Sequence, residues 1–249
     1  MAGHSKWKQI KRKKAVTDAR RGAAFTKLIR EITIAARQGG GDADGNARLR
    51  TAIEAAKAEN MPLENIERAV KKGSGELEGV QYLEVTYEGY GPGGAAILIE
   101  ATSDNPNRTV AEIRHVFQRL GGHLGATNSV AWMFDRRAQI TVDATHADED
   151  ATLEAALDAG ADDMTREADT FVITAPATQL HAVRERLRAR KIPVQSAEIT
   201  MVPKSTVKVE GKDAQSLLRL VESLDEMDDV ARVHSNFDMD AEAMAAVTG

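Results

Sequence analysis

The chain contains no cysteine, and that absence removes disulfides, thiolate nucleophiles and cysteine-based zinc sites at once. It fits a reducing compartment, and a cytoplasmic location is expected. Aromatics are scarce at 4%, with two Trp, three Tyr and five Phe, and no aromatic RNA-recognition signature is found among them, so base-specific readout is not evident. No apolar run approaches the ~20 residues that a membrane span needs, and no apolar segment follows the basic start as in a secretory leader. The crowded lysines and missing apolar face also make the start a poor mitochondrial presequence. What remains, 42% hydrophobic and 29% charged residues over 249 positions, is enough for one large domain or several small cores.

Acid is missing in one place above all. The opening MAGHSKWKQIKRKK carries Lys6, Lys8, Lys11, Arg12, Lys13 and Lys14, and Asp18 is the first acidic residue. The overall charge of −5 conceals this polarity. Residues 1–72 hold 17 Lys and Arg against 8 Asp and Glu, a net +9, which leaves 16 basic against 30 acidic residues, −14, in the rest. A basic first quarter on an acidic body is the pattern of a chain that meets a polyanion with one end. The plainer alternative is two parts of one molecule attracting each other.

On a helical wheel Lys6 to Lys14 point all round, as in an arm that orders on a partner. Downstream, Phe25, Leu28, Ile29, Ile32 and Ala36 recur at helical spacing up to Gly39-Gly40-Gly41. Taking that stripe as buried, Arg20, Lys27, Arg30 and Arg37 cluster on the opposite side, a basic face suited to phosphates. About 6–10 cation–phosphate contacts would make affinity fall steeply with salt. Trp7 beside the lysines can stack on an unpaired base, or equally can tack the arm onto the helices.

A second helix is expected from about Asn46 and a third from Pro62 to Gly73, followed by a linker at GSGELEG (73–79). Strands are then expected at VQYLEVTYE and GAAILIEATS, a helix over 107–120, and a strand at SVAWMF (129–134). Residues 138–202 spell β-α-β-β-α-β, and the flanks, joined across that block, spell the same order. The fold class read from this is multidomain α+β: an N-terminal three-helix domain (1–75) followed by two ferredoxin-like α+β domains, one (135–203) inserted into the other (80–134 plus 204–240).

No local motif calls for catalysis. Gly89, Gly91 and Gly94 match G-x-G-x-x-G in spacing, but AAILIEA follows, which is a strand, whereas a dinucleotide fingerprint must open a helix. A hairpin turn is expected there. His4, His115, His123, His146, His181 and His234 are scattered, and Asp148-Glu149-Asp150 stands where a helix N-terminus favours acids. The reading is a non-enzyme with no cofactor, metal, small-molecule substrate or membrane partner.

AGHSKWKQIKRKK, DARRGAAFTKLIREITIAARQGGGD, NARLRTAIEAAKAENMP, YEGYGPGGAAILIEATSDNPNRTVAEIRHVF and SAEITMVP together closely resemble the YebC/PmpR family, over essentially the whole chain. The resemblance implies a helical domain and two α+β domains. It implies either a DNA-binding transcriptional regulator or, as in the mitochondrial branch that activates cytochrome c oxidase translation, a ribosome-associated factor, including ones that relieve stalling on proline-rich sequence. The matching nucleic-acid positions are Gly3, His4, Ser5, Lys6, Trp7, Lys11 to Lys14, Arg20 and Arg21; Lys8, Lys27 and Arg30 join them on charge. Relatives often read His-Arg-Lys where Arg12-Lys13-Lys14 stands, and Lys in place of Ala23, so a histidine role at the first site is in doubt while the charge is kept. A protein-interaction scaffold using the acidic domains is the third reading. The loop SDNPNRT (103–109) is suspected of a functional role, against its obvious use as a turn and helix cap.

Overall fold

The computed structural model describes residues 18–239. Three helices come first: α1 (Asp18–Gly39), α2 (Ala47–Ala58) and α3 (Leu63–Ser74). The stripe expected on α1 does turn inward, with Ile32, Ala35 and Ala36 fully buried against Leu49, Ala56, Ile66 and Ala69. One side chain makes the α1–α2 corner. Asn46 caps α2 by accepting from the Leu49 amide at 3.0 Å, and its own amide donates to the carbonyls of Ala35 and Gly40 at 2.7 and 2.9 Å. Pro62 stands just before the first residue of α3, and Gly75, left-handed at φ 86°, ends that helix. Gly73 lets α3 press on α1: a Cβ there would lie 2.4 Å from the Thr33 carbonyl oxygen and 2.6 Å from the Ala36 methyl.

The chain then forms a sheet from β1 (Leu83–Tyr90), β2 (Ala96–Ser103), β3 (His123–Leu124) and β9 (Val230–Ser235), in the order β3-β1-β2-β9 with every neighbour antiparallel. β1 and β2 are a hairpin closed by a 3-10 turn at Pro92–Gly94, so the glycine-rich stretch is the turn expected and a strand follows it. Helices α4 (Pro106–Arg119) and α7 (Gly211–Asp225) cover one face, where Ile113, Phe117, Leu217 and Val221 bury against Ile97, Ile99 and Val233. Two-residue strands β8 (Val207–Lys208) and β10 (Phe237–Asp238) pair in parallel beside that core.

Residues 132–206 form a separate compact unit. It runs β4 (Phe134–Asp143), α5 (Glu149–Asp158), β5 (Asp163–Glu167), β6 (Thr170–Pro176), α6 (Leu180–Ala189), β7 (Val194–Pro203). The antiparallel order β5-β6-β4-β7 is that of the split βαβ arrangement. Ile140, Val142, Phe171 and Ile173 pack beneath Ala155, Ala156, Val183 and Leu187 of the two helices. Asp148 caps α5, accepting from the Ala151 amide at 2.9 Å, so the acidic triplet serves a helix start.

Two elements of the flanks differ from expectation. The strand expected at STVKVE (205–210) shortens to β8, which pairs with β10 and not with the outer sheet. Residues 129–133 are not a strand of the outer sheet: Ala131–Met133 is a 3-10 turn, and Phe134 already opens β4 of the inserted block. The outer sheet is therefore made of the β1–β2 hairpin with β3 and β9, and its strand order is not a copy of the inserted one. The cause is Glu88. Its buried carboxylate accepts the backbone N–H groups of Asn128, Val130 and Ala131 at 2.7, 2.7 and 2.8 Å, donors that a strand would have given to a neighbour. Burial pushes the Glu88 pKa up, but these three bonds outweigh it and leave it lowered.

Candidate nucleic-acid interface

Gly3, His4, Ser5, Lys6, Trp7, Lys8, Lys11, Arg12, Lys13 and Lys14 lie outside the described residues. Arg20 and Arg21 fall in the first turn of α1, the helix that carries the chain out of that segment. Lys27 and Arg30 lie further along it, and their surroundings differ from the open basic face expected of them.

Arg30 reaches across to the loop between α7 and β9. Its Nη1 lies 2.6 Å from Asp229 Oδ1, 2.6 Å from the Asp228 carbonyl oxygen and 3.1 Å from the Thr102 carbonyl oxygen. The guanidinium also lies over the Tyr82 ring, 5.4 Å from its centroid. Lys27 donates to the Asp225 carbonyl and has that residue's carboxylate 4.0 Å away. Arg37 donates to the Val80 carbonyl at 3.3 Å. Lys27 and Arg30 neutralise the acidic run Asp225-Glu226-Met227-Asp228-Asp229 of the same chain, so the self-attraction alternative describes them. A helical wheel reveals that they share a face, but not what faces them.

Asp229 is the centre of this contact. Only 6% of its side chain is exposed, and Oδ2 accepts from Arg108 Nη2 at 2.7 Å, from Thr109 Oγ1 at 2.5 Å and from Ser103 Oγ at 3.3 Å. Burial pushes its pKa up, yet Thr109, Arg108 and Arg30 together hold it at about 2. The suspected loop 103–109 is thereby accounted for. Asn105 caps α4 through the Arg108 amide at 3.2 Å, and Ser103, Arg108 and Thr109 all serve Asp229.

A second ionic tie stands beside the first. Arg48 on α2 bonds Glu31 Oε1 and Oε2 at 2.8 and 3.0 Å and Glu84 Oε1 on β1 at 2.6 Å, while Gln38 donates to Glu84 at 2.8 Å. The hydrogen bond from Arg48 lowers the Glu84 pKa despite partial burial. Helices α1 and α2 are thus tied to the outer sheet at Asp229 and at Glu84. Neither tie was visible in the sequence, because both join residues far apart in the chain.

Among the described residues no group of three or more His, Asp or Glu is placed to hold a metal ion, and no helix is long and apolar enough to cross a membrane.

Known proteins resemble this one along its length. The family model for the TACO1/YebC N-terminal domain matches residues 5–76, and that for the TACO1/YebC second and third domains matches residues 82–237. A relative from Gemmatimonas aurantiaca is 60% identical over 98% of this chain and 99% of its own, and one from Desulforapulum autotrophicum is 50% identical over 99% and 100%. Both carry the name probable transcriptional regulatory protein. The crystal structure of a conserved hypothetical protein from Aquifex aeolicus, 48% identical, superposes with a TM-score of 0.82 over 90% of this chain and 92% of that one. With family models spanning both the helical part and the α+β part, this chain belongs to the TACO1/YebC family.

Proposed function

We propose that the protein is a nucleic-acid-binding regulator of gene expression, a transcriptional regulator that holds duplex DNA through the basic residues between positions 6 and 21. The observation that carries this reading is how the charge of α1 is divided. Lys27, Arg30 and Arg37 are engaged by partners within the chain. Residues 1–21 meanwhile hold eight Lys and Arg against the single acid Asp18. The excess of positive charge is therefore concentrated before residue 22, next to a helix whose remainder is anchored on the acidic body. An anchored helix leading into a cation-rich segment suits backbone-tracking contact with phosphates, where each neutralised phosphate releases counterions. The names of the Gemmatimonas and Desulforapulum relatives support regulation of transcription as the setting.

The test is binding of the full chain to a duplex DNA fragment across a salt series, beside the variant with Lys11, Arg12, Lys13 and Lys14 changed to Ala. The expected result is a loss of affinity and a reduction of about 3–4 in the slope of log K against log salt. Gradient sedimentation of both proteins in lysate is the counter-test. Co-migration of the intact chain with ribosomes, lost in the variant, replaces DNA by ribosomal RNA as the target. Retention of full activity by a chain lacking residues 1–73 overturns the nucleic-acid reading in favour of a scaffold.

A further inference from the structure

A cleft of about 770 Å³ opens beside the β1–β2 turn, between the C-terminal end of α4 and the outward side of α7. Its walls include the exposed glycines Gly93 and Gly94, Arg119 from the last turn of α4, His123 from β3, and Asp213 and Arg219 from α7. Both arginines are exposed, and among the described residues neither makes an ion pair or a side-chain hydrogen bond. Lys27, Arg30, Arg48, Arg108, Arg137, Arg166 and Arg186, by contrast, all have acidic partners. Arg119 does favour a helix C-terminus by its charge alone, but Arg219, in the middle of α7, has no such use.

Two further features give the cleft a shape for a ligand. The His123 ring stacks on Tyr90 with centroids 5.5 Å apart and an interplanar angle of 27°, and Tyr90 is fixed by donating its hydroxyl to the Ser129 carbonyl at 2.9 Å. An exposed imidazole backed by an immobilised ring offers a flat wall. The turn supplies the other. At Gly93, φ +73°, a Cβ would meet Val209 at 2.7 Å, which is a packing reason for glycine. At Gly94, φ +75°, a Cβ would meet nothing within 4 Å, so its backbone faces open space.

We infer that this cleft binds a phosphate-bearing nucleotide, with Arg119 and Arg219 taking the phosphate and His123 stacking on an unpaired base. Two free guanidiniums beside a flat ring match that ligand, because guanidinium is the group suited to phosphate and an exposed ring face is a sequence-tolerant base platform. Asp213 is the one acid in the wall and opposes the phosphate. The inference rests on the nucleic-acid reading above and adds a second contact point to it, one that takes a single strand rather than a duplex.

The probe is a fluorescein-labelled 12-nucleotide oligothymidylate, followed by anisotropy with the full chain, with thymidine monophosphate and the corresponding duplex as comparison ligands. The Arg119→Ala/Arg219→Ala protein is expected to bind the single strand about tenfold more weakly, with a salt slope smaller by about 1.4 and an unchanged affinity for duplex. His123→Ala is expected to weaken single-strand binding about fivefold or more without altering the slope. Asp213→Asn is expected to tighten it. Thymidine monophosphate that shifts the Gly93 and Gly94 amide resonances and binds as tightly as the oligonucleotide marks a free-nucleotide site; a large gain for the oligonucleotide marks a strand site. Unchanged binding of both ligands by the arginine and histidine variants, while the Lys11–Lys14 alanine variant loses the oligonucleotide, removes the cleft and leaves the proposed function standing. If the intact chain binds neither nucleic acid nor mononucleotide, both fall.

Discussion

Arg30 Nη1 and Asp229 Oδ1 lie 2.6 Å apart, and both side chains are almost wholly withdrawn from water, at 13% and 6% exposure. A pair in this position attracts strongly but has lost its hydration, so its removal is felt mainly through the partner left behind. Asp229→Ala strands the buried Arg30 guanidinium, while the more exposed Arg108 keeps Asp104. The expected loss is about 3 kcal/mol of stability, read as a lower urea midpoint. Arg30→Met, which keeps much of the stem and removes the charge, leaves Asp229 with Arg108 and Thr109 and is expected to destabilise less.

Arg30 also separates stability from binding. Because its guanidinium is engaged by Asp229 and two carbonyls, Arg30→Met is expected to lower the thermal midpoint while leaving the salt slope of DNA binding unchanged. The Lys11–Lys14 alanine variant should do the reverse. A reduced salt slope for Arg30→Met means that Arg30 touches phosphate after all.

The acids of the two ties predict an acid limit. Asp229 is held at about 2, below the ordinary carboxylate value near 3.9, and Glu84 is also lowered. A depressed folded-state pKa contributes stability that is full above the unfolded value and is lost as pH falls toward the folded one. Stability is therefore expected to decline between about pH 4 and pH 2, and Asp229→Asn is expected to flatten that decline. Denaturant midpoints at half-unit pH steps measure both curves.

Glu88 predicts a local effect. Its carboxylate holds three backbone N–H groups, so Glu88→Ala leaves buried donors unpaired and is expected to remove about 2–4 kcal/mol. Glu88→Gln, still an acceptor but uncharged, should lose less. Hydrogen exchange at Asn128, Val130 and Ala131 is expected to accelerate in both variants, more in the first.

Gly73→Ala tests the helix pairing. The new methyl meets the Thr33 carbonyl and the Ala36 methyl at separations no methyl tolerates, so α3 must lift from α1. A loss of about 1–3 kcal/mol is expected, against a few tenths in the opposite direction if propensity alone mattered.

Periodicity made the helices and most strands legible. Phe25 to Ala36 showed the inner face of α1, Asn46 and Pro62 marked two helix starts, and alternating runs gave the strands of the 132–206 unit. SVAWMF failed because its apolar residues read as a strand while a distant glutamate, Glu88, takes the amides that would have made one. Lys27 and Arg30 were legible as a face but not as a contact. Coulomb partners at a sequence separation of nearly 200 leave no local trace, and a solvated basic face looks identical to one docked on acids. Arg119 and Arg219 were missed for the same reason, as their nearness depends on how α4 and α7 flank one turn.

The root of the inserted unit has its own consequence. Phe134 and Pro203, at the start of β4 and the end of β7, are register partners, and the Lys204 amide donates to the Met133 carbonyl at 2.9 Å. The chain thus departs at residue 132 and returns by residue 206 through two neighbouring strands. To the flanking sequence, a block of that length is no more of an interruption than a tight hairpin, since its own pairing has already brought the ends together. Such a junction is a natural splice point: the block can be lengthened, exchanged for another domain with adjacent termini, or replaced by a few residues, with little penalty in chain entropy for the part that carries the helices and outer sheet.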